Sequence, residues 1–320
     1  MNLDPVIPFE PVLADRIPQG TGWTAQIKWD GVRMLAYFDG REFRLVNRRR
    51  HDRTAQYPEF HEPAAWCRAS SFILDGEFVA FDRRKPSFHE IMRRDSLRKP
   101  EQIHRAVGEI PVAYMVFDVL YCDGQWITSR PLAERQQVLA SILRPQPHVQ
   151  PVENADDAEA LLAVMKTHGM EGIVCKRLDS TYAIGGKDKR WQKLKITRDL
   201  LAVVGGVTFR DGIVNALLLG LYDGDGRLFY IGHAGTGKIT AAEWRRLTRE
   251  AASLAVREMP FANRPERAKG AVWLRPALVA KIRFLEWTDR GTLRQPSIQA
   301  FVDMPPEACT FAQATDDSVP

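Results

Sequence analysis

The chain has 320 residues, 45% of them hydrophobic and 27% charged, with 45 Lys and Arg against 40 Asp and Glu. This is the balance of a globular protein of roughly two domains, and it excludes a mainly disordered, collagen-like or coiled-coil chain. No stretch approaches the ~20 apolar residues of a membrane helix, no secretory leader pattern opens the chain, and the four cysteines (Cys67, Cys122, Cys175, Cys309) form no CxxC pair. The expectation is a cytoplasmic protein without a zinc ribbon or a disulfide framework.

In chain order, residues 23–40 and 41–48 read as strands joined by a turn at Asp39-Gly40. Residues 72–82 (FILDGEFVAFD) read as a strand pair folded at Asp75-Gly76, and 112–124 (VAYMVFDVLYCDG) as a buried strand ending at Asp123-Gly124. Residues 131–144 carry apolar side chains at 132, 138, 139 and 142, a helical spacing with a charged opposite face. A second helix is expected over 155–170, with acids in its first turn and Gly169 near its end, before a strand at 171–178. Beyond residue 198 the texture changes to β-rich runs at 200–209, 215–235 and 271–288, with Gly/Asp turns and one helix at 240–254. Short strands with one helix fit a small Greek-key barrel of the OB type. The expected domains are therefore 1–198 and 199–320, without an internal repeat or a long linker.

The charge is local. Residues 41–53 carry six bases and two acids, 83–105 eight and three, and 186–198 six and one, whereas the last 18 residues carry four acids and no base. Basic patches on a nearly neutral chain point to a polyanionic partner such as nucleic acid.

The sharpest chemical signal is Lys28-Trp29-Asp30-Gly31-Val32-Arg33 at a strand end. A lysine there becomes nucleophilic when partial desolvation or neighbouring cations lower its pKa toward neutral. Leu74-Asp75-Gly76-Glu77 places a carboxylate on another strand, Phe117-Asp118 offers a flat apolar wall for a base, and Glu171-Gly172-Ile173-Val174-Cys175-Lys176 opens a strand with a carboxylate and then a base, Lys176. Lys193 and Lys195 share one face of a strand, and two like charges held together call for an anion such as a triphosphate. Taken singly, each is an ordinary surface or core feature. One decoy is Gly232 to Lys238 (GHAGTGK), which nearly matches a phosphate-binding loop but continues with Ile239 where a Ser or Thr is needed.

In this order, KWDGVR, LDGEF, FD, EGIVCK and KLK resemble the motif set of covalent nucleotidyltransferases, above all the ATP-dependent DNA ligases. The runs at 45–60, 171–182 and 284–297 resemble the ligase module of the bacterial end-joining DNA ligase D group. The resemblance covers residues 23–300. It implies an α+β fold, with a nucleotidyltransferase (adenylation) domain of antiparallel sheets and helices followed by an OB-fold β-barrel domain. It further implies a stand-alone ligase that joins 5′-phosphate to 3′-hydroxyl ends through a lysyl-AMP, in DNA repair.

By the same resemblance Lys28 is the nucleophile, Arg33 contacts the sugar and the nick phosphate, and Arg48 reads phosphate. Glu77 holds the ribose and has a second role at metal. Phe117 stacks on adenine, and Glu171 holds Mg²⁺, with Mn²⁺ as the alternative ion. Lys193 and Lys195 contact the α-phosphate, and Arg190 is a further phosphate candidate. Gln26 and Ile27 fall beside the nucleotide, Gln26 where the family usually has a glutamate near the adenine edge. Three departures stand out. Asn47-Arg48-Arg49-Arg50 gains charge over the usual Ser-Arg-Asn-Gly, which suits extra DNA backbone contact. Gln295 replaces a usual histidine. The terminal Arg-x-Asp-Lys motif reads Phe301-Val302-Asp303-Met304, so Lys281, Arg283 or Arg294 is expected to substitute for its cations. Implied partners are ATP, nicked or broken double-stranded DNA and a Ku-type end-binding protein, with no membrane. The implied setting is a monomer at the bacterial nucleoid. The alternatives are an RNA ligase or capping-type enzyme, and a degenerate DNA-binding module without catalysis.

Overall fold

The computed structural model describes residues 3–82, 85–266, 268–288 and 290–313. Internal contacts divide the chain into Met1–Ile196 and Thr197–Pro320, so Arg198 falls in the second unit, where it opens a strand.

The strands of the first unit are β1 (Glu10–Leu13), β2 (Trp23–Ile27), β3 (Val32–Phe38), β4 (Phe43–Asn47), β5 (Phe72–Asp82), β6 (Lys85–Pro86), β7 (Val112–Cys122), β8 (Gln125–Trp126), β9 (Val149–Pro151), β10 (Gly172–Arg177) and β11 (Lys187–Lys195). They form a four-stranded sheet ordered β1-β11-β10-β2 and a seven-stranded sheet with the path β4-β3-β5-β7-β8. Both are antiparallel apart from the parallel pairs β1–β11 and β7–β9. The helices are α1 (Pro63–Trp66), α2 (Phe88–Asp95), α3 (Pro100–Glu109), α4 (Leu132–Ile142) and α5 (Ala158–Thr167).

Two expectations are corrected. Residues 23–40 are not one strand. The chain leaves the four-stranded sheet after Ile27 and enters the seven-stranded sheet at Val32, so KWDG is the crossover between them. Residues 72–82 do not fold back at Asp75-Gly76 either. β5 runs straight through, and its pairing with β7 shifts register between Asp75 and Gly76, so the pair of small polar residues is a bulge rather than a turn. The basic stretch 83–105 also takes in α2 and the first part of α3, with Ser87 capping α2 by accepting from Glu90 N.

The seven-stranded sheet buries an aromatic cluster in which Phe60, Phe78 and Tyr114 are each 0% exposed. Their rings lie 4.7 and 4.8 Å from Phe78. Such fully buried side chains each stabilise the fold by about 2–3 kcal/mol. A second cluster packs α5 on the four-stranded sheet through Met165, Ala25, Ile173 and Leu194. A third, containing Phe9, Tyr37, Tyr182 and Trp191, draws side chains from both sheets and joins them. Arg135 on α4 is fully buried and bonds both oxygens of the buried Asp118 at 2.8 and 2.9 Å, along with the carbonyls of Arg130 and Ser180. The pair is compatible with burial because the two carbonyls also take up both Nη1 hydrogens.

The second unit contains β12 (Arg198–Arg210), β13 (Ile213–Tyr222), β14 (Leu228–Ala234), β15 (Ala255–Val256), β16 (Val272–Phe284), β17 (Ser297–Val302) and α6 (Ala241–Leu254). The strand order is β14-β13-β12-β16-β15, with β17 on β16. A bridge from Gly237 to Ile298 brings the chain after β14 to β17 and curls the sheet toward closure, as in a small barrel. α6 begins with a capping box between Thr240 and Glu243. The near-match to a phosphate loop lies partly in β14, and Lys238 N donates to Ile298 O at 2.7 Å, so that backbone serves the barrel. Lys281 and Arg283 both bind Asp199, at 3.3 and 3.0 Å, and Arg294 binds Glu286 at 2.6 Å. Among the described residues, no helix is long and apolar enough to cross a membrane.

Candidate active site

The site grows from the crossover between the two sheets. Lys28 N donates to Gly172 O at 3.0 Å, which continues the β2–β10 ladder by one bond. Three residues on, a Cβ at Gly31 would stand 2.1 Å from the Phe78 carbonyl oxygen. Only glycine lets the chain pass so close to β5. Gly172 has φ +143, and a Cβ there would meet Leu194 O at 2.0 Å. That approach sets Glu171, just before β10, against the end of β11.

The result is a triad of charges. Lys28 Nζ donates to Glu171 Oε2 at 2.5 Å, and Lys195 Nζ lies 3.0 Å from Glu171 Oε1. Burial opposes the charge on Glu171, but Lys28 and Lys195 outweigh it and hold the carboxyl below its usual range. Lys193 lies two residues before Lys195 on the same strand face. Burial, then Lys195 and Lys28, lower its pKa.

A second charged group faces this one. Arg33 on β3 stands opposite Glu77 on β5. It donates to Asp75 Oδ1 and Oδ2 at 2.8 and 2.6 Å, and its guanidinium lies 4.9 Å from the Phe117 ring centre. Tyr182 also donates to Asp75, at 2.6 Å, and accepts from Phe9 N. Burial opposes the charge on Arg33, but Asp75 overcomes it and raises the pKa. Glu77 has no such carboxylate clamp. Burial pushes it up to about 8 against the pull of Lys28 and Arg33, and a bound cation would favour its carboxylate form.

Gln26, Ile27, Lys28, Arg33, Glu77 and Phe117 line one cavity with about 490 Å³ of empty space, its mouth included, together with Pro11, Trp29, Val174, Lys176 and Trp191. Glu171, bonded to both Lys28 and Lys195, adjoins it at Lys28, while Lys193 feels Lys28 only through charge. Two expected residues lie elsewhere. Arg48 is half-exposed and pairs with Glu10 at 3.4 Å. Arg190 is held by Asp188 at 2.7 Å and by Thr181.

Reading the sequence gave no part to Asp75, Tyr182 or Trp191, and marked Lys176 only as the base that ends its motif, without a role. Lys176 is 2% exposed, with Nζ 4.3 and 4.0 Å from the Phe117 and Trp191 ring centres. Burial lowers its pKa to about 7, with Asp118 and Asp75 opposing and Arg33 and Arg135 adding. The available signal was strand alternation, which puts Lys176 on the Val174 face of β10. Among the described residues, three buried side-chain polar atoms lack a hydrogen-bond partner: Trp29 Nε1, Lys176 Nζ and Arg94 Nε. Two of the three belong to the wall of this cavity. Unpaired buried donors are costly, and a ligand rich in acceptors would relieve them.

Among the described residues there is no cluster of three or more His, Cys, Asp or Glu side chains. Glu171 and Glu77 therefore fit a divalent cation only as one or two carboxylates, the usual arrangement when phosphate oxygens and waters complete the shell of Mg²⁺.

Residues 11–195 match the model of the ATP dependent DNA ligase domain, and 210–302 that of the ATP dependent DNA ligase C terminal region. The multifunctional non-homologous end joining DNA repair protein LigD of Mycobacterium tuberculosis is 32% identical over 303 residues, which cover 92% of this chain and 38% of LigD. A DNA ligase of Caldivirga maquilingensis is 34% identical over 262 residues, covering 72% of this chain and 43% of that ligase. The chain thus spans about two fifths of the length of these relatives. The crystal structure of the ligase domain of M. tuberculosis LigD matches with a TM-score of 0.54 and 29% identity, covering 97% of this chain and 99% of that one. A mycobacterial DNA ligase D complexed with ATP and MES matches with the same score at 30% identity. The motif order, the two-sheet unit with its lysine-bearing crossover and the barrel unit agree with these matches: the chain belongs to the ATP-dependent DNA ligase family, a nucleotidyltransferase unit followed by an OB-fold unit.

Proposed function

We propose that this chain joins 5′-phosphate and 3′-hydroxyl ends in double-stranded DNA at the expense of ATP, through an AMP carried on Lys28. The observation that carries the reading is the Lys28–Glu171–Lys195 triad beside a cavity walled by Phe117 and Trp191. In the first step the Lys28 amine attacks the α-phosphorus. An N–P bond forms, the P–O bond to pyrophosphate breaks, Glu171 Oε2 orients the amine, and the departing pyrophosphate, more basic than the depressed carboxylate, takes the amine proton. The bound 5′-phosphate then takes the AMP from Lys28, and the 3′-hydroxyl displaces AMP to form the phosphodiester. Every step moves a phosphoryl centre, so positioning and charge compensation do most of the work.

Lys195 and Lys193 would offset charge on the α-phosphate, Phe117 would stack on the base, and Lys176 would gain the acceptor it lacks. Mg²⁺ or Mn²⁺ held by Glu171 and Glu77 would neutralise phosphate charge. Arg33, aimed by Asp75, would meet the sugar and the nick phosphate. The turn at Arg48-Arg49-Arg50 is pinned by Asn47 Oδ1, which accepts from Arg49 N and His51 N at 2.9 and 3.0 Å. Its arginines would hold DNA phosphates, and Arg190 would add to that surface. Binding should then weaken steeply with salt. The end-joining activity named for LigD supports a role at broken ends in DNA repair, alongside a Ku-type end-binding protein.

The test is sealing of a nicked duplex bearing a 5′-phosphate, with ATP and Mg²⁺. The wild-type chain should seal it. Lys28→Ala should fail with ATP yet seal a nick whose 5′-phosphate already carries AMP. Failure of the wild-type chain on both substrates would overturn the proposal.

A further inference from the structure

Gln26 is 2% exposed and is one of the residues that line the cavity. It begins a chain of amides. Gln26 Nε2 donates to Asn154 Oδ1 at 2.9 Å, Asn154 Nδ2 donates to Gln136 Oε1 at 3.2 Å, and Gln136 Nε2 donates to the Phe117 carbonyl at 2.8 Å. The direction of this relay is fixed at its far end, because a backbone carbonyl can only accept. Gln136 must turn its NH₂ to Phe117 and so presents its oxygen to Asn154. Asn154 must then present its oxygen to Gln26, and Gln26 must spend its NH₂ there. The oxygen of Gln26 is the end left over, and among the described residues no side-chain or backbone donor is bonded to it. The geometry is not loose: Ala155, next to Asn154, exchanges two backbone bonds with Ala25, at 2.9 and 2.8 Å.

We propose that Gln136 and Asn154 are specificity-determining positioning residues, which turn the Gln26 oxygen into the cavity so that it receives an exocyclic amine of a purine. Adenine offers such a donor at N6, whereas guanine offers an acceptor, O6, at the same place. A glutamate at residue 26 would need no relay, since both its oxygens accept; a glutamine needs its direction set. The inference rests on the nucleotide-transfer reading of this cavity, with residue 26 at the adenine edge, and adds what sets the direction of its amide.

The test compares equilibrium binding of AMP and GMP to the full chain, read by tryptophan fluorescence from Trp29 and Trp191 in the wall, with label uptake from ATP measured separately. Asn154 is exposed, so Asn154→Ala should fold normally. It should cut the AMP-over-GMP preference by about tenfold. Q26E should keep the preference, and the double variant Q26E/N154A should restore it, because a carboxylate needs no orienting partner. An unchanged ratio in Asn154→Ala, or a double variant no better than Asn154→Ala, would overturn the proposal. Base preferences that shift as stated without any label on the wild-type chain would support the relay while removing the Lys28 chemistry. Binding of neither nucleotide would overturn both.

Discussion

Lys176 offers a test that joins stability to function. Its amine is buried, lacks a hydrogen-bond partner and lies over two aromatic rings. In the unfolded chain a lysine titrates near 10.5, whereas in the fold Lys176 titrates near 7. Between these values the unfolded state binds a proton that the folded state does not, so stability rises with pH across that window and is lowest below 7. At 1.36 kcal/mol per pH unit, the folded state gives up on the order of 5 kcal/mol at pH 6.5 and about 2 kcal/mol at pH 9. Lys176→Met has similar volume and no charge, and its packing cost, under about 1.5 kcal/mol, is independent of pH. Urea unfolding of both proteins from pH 6.5 to 9 should therefore show the variant gaining most at the acid end, with its advantage shrinking by roughly 3 kcal/mol toward pH 9. Nucleotide binding should move the opposite way, weakening in the variant. Stability curves that run parallel would refute the account of Lys176 as a desolvated amine held for a ligand.

Three further outcomes follow from particular contacts. Arg135→Met strands the buried Asp118 carboxylate and should cost about 3–5 kcal/mol in urea unfolding. Gly31→Ala drives a Cβ into the Phe78 carbonyl at 2.1 Å; it should cost about 1–3 kcal/mol and, by displacing Lys28, abolish label uptake from ATP. Thr240→Ala removes the cap of α6 and should lower the stability of the second unit by about 1 kcal/mol, seen as a shifted urea midpoint.

The helices at 131–144 and 155–170 and the strands after 198 were legible because each carries one local signal, a period or a turn, that tertiary contacts do not override. The crossover at KWDG was not, since one continuous β-like run feeds two sheets and nothing local marks which partner Ile27 or Val32 will take. Asp75-Gly76 misled for a related reason. The dipeptide that makes turns also makes bulges, and only the pairing with β7 decides between them. Within the site, Lys28, Glu171 and Lys195 were legible as charges in motifs. The parts played by Asp75, Tyr182 and Lys176 were not, because they lie in burial and in distant partners, as with Tyr182, which meets Asp75 107 residues away and Phe9 173 residues away. Arg48 and Arg190 carry charge of the right sign, but they pair with Glu10 and Asp188 and are not among the residues that line the cavity.

The central claim is that Lys28 carries the AMP, and the direct measurement is covalent labelling. The full chain is incubated with α-labelled ATP and Mg²⁺, denatured and assayed for retained label, with Lys28→Ala and Lys176→Met in parallel. Label on the wild-type chain that is acid-labile, as a phosphoramide is, reduced in Lys176→Met and absent from Lys28→Ala, is the predicted result. Label that persists in Lys28→Ala, or a folded wild-type chain that takes none, would contradict it.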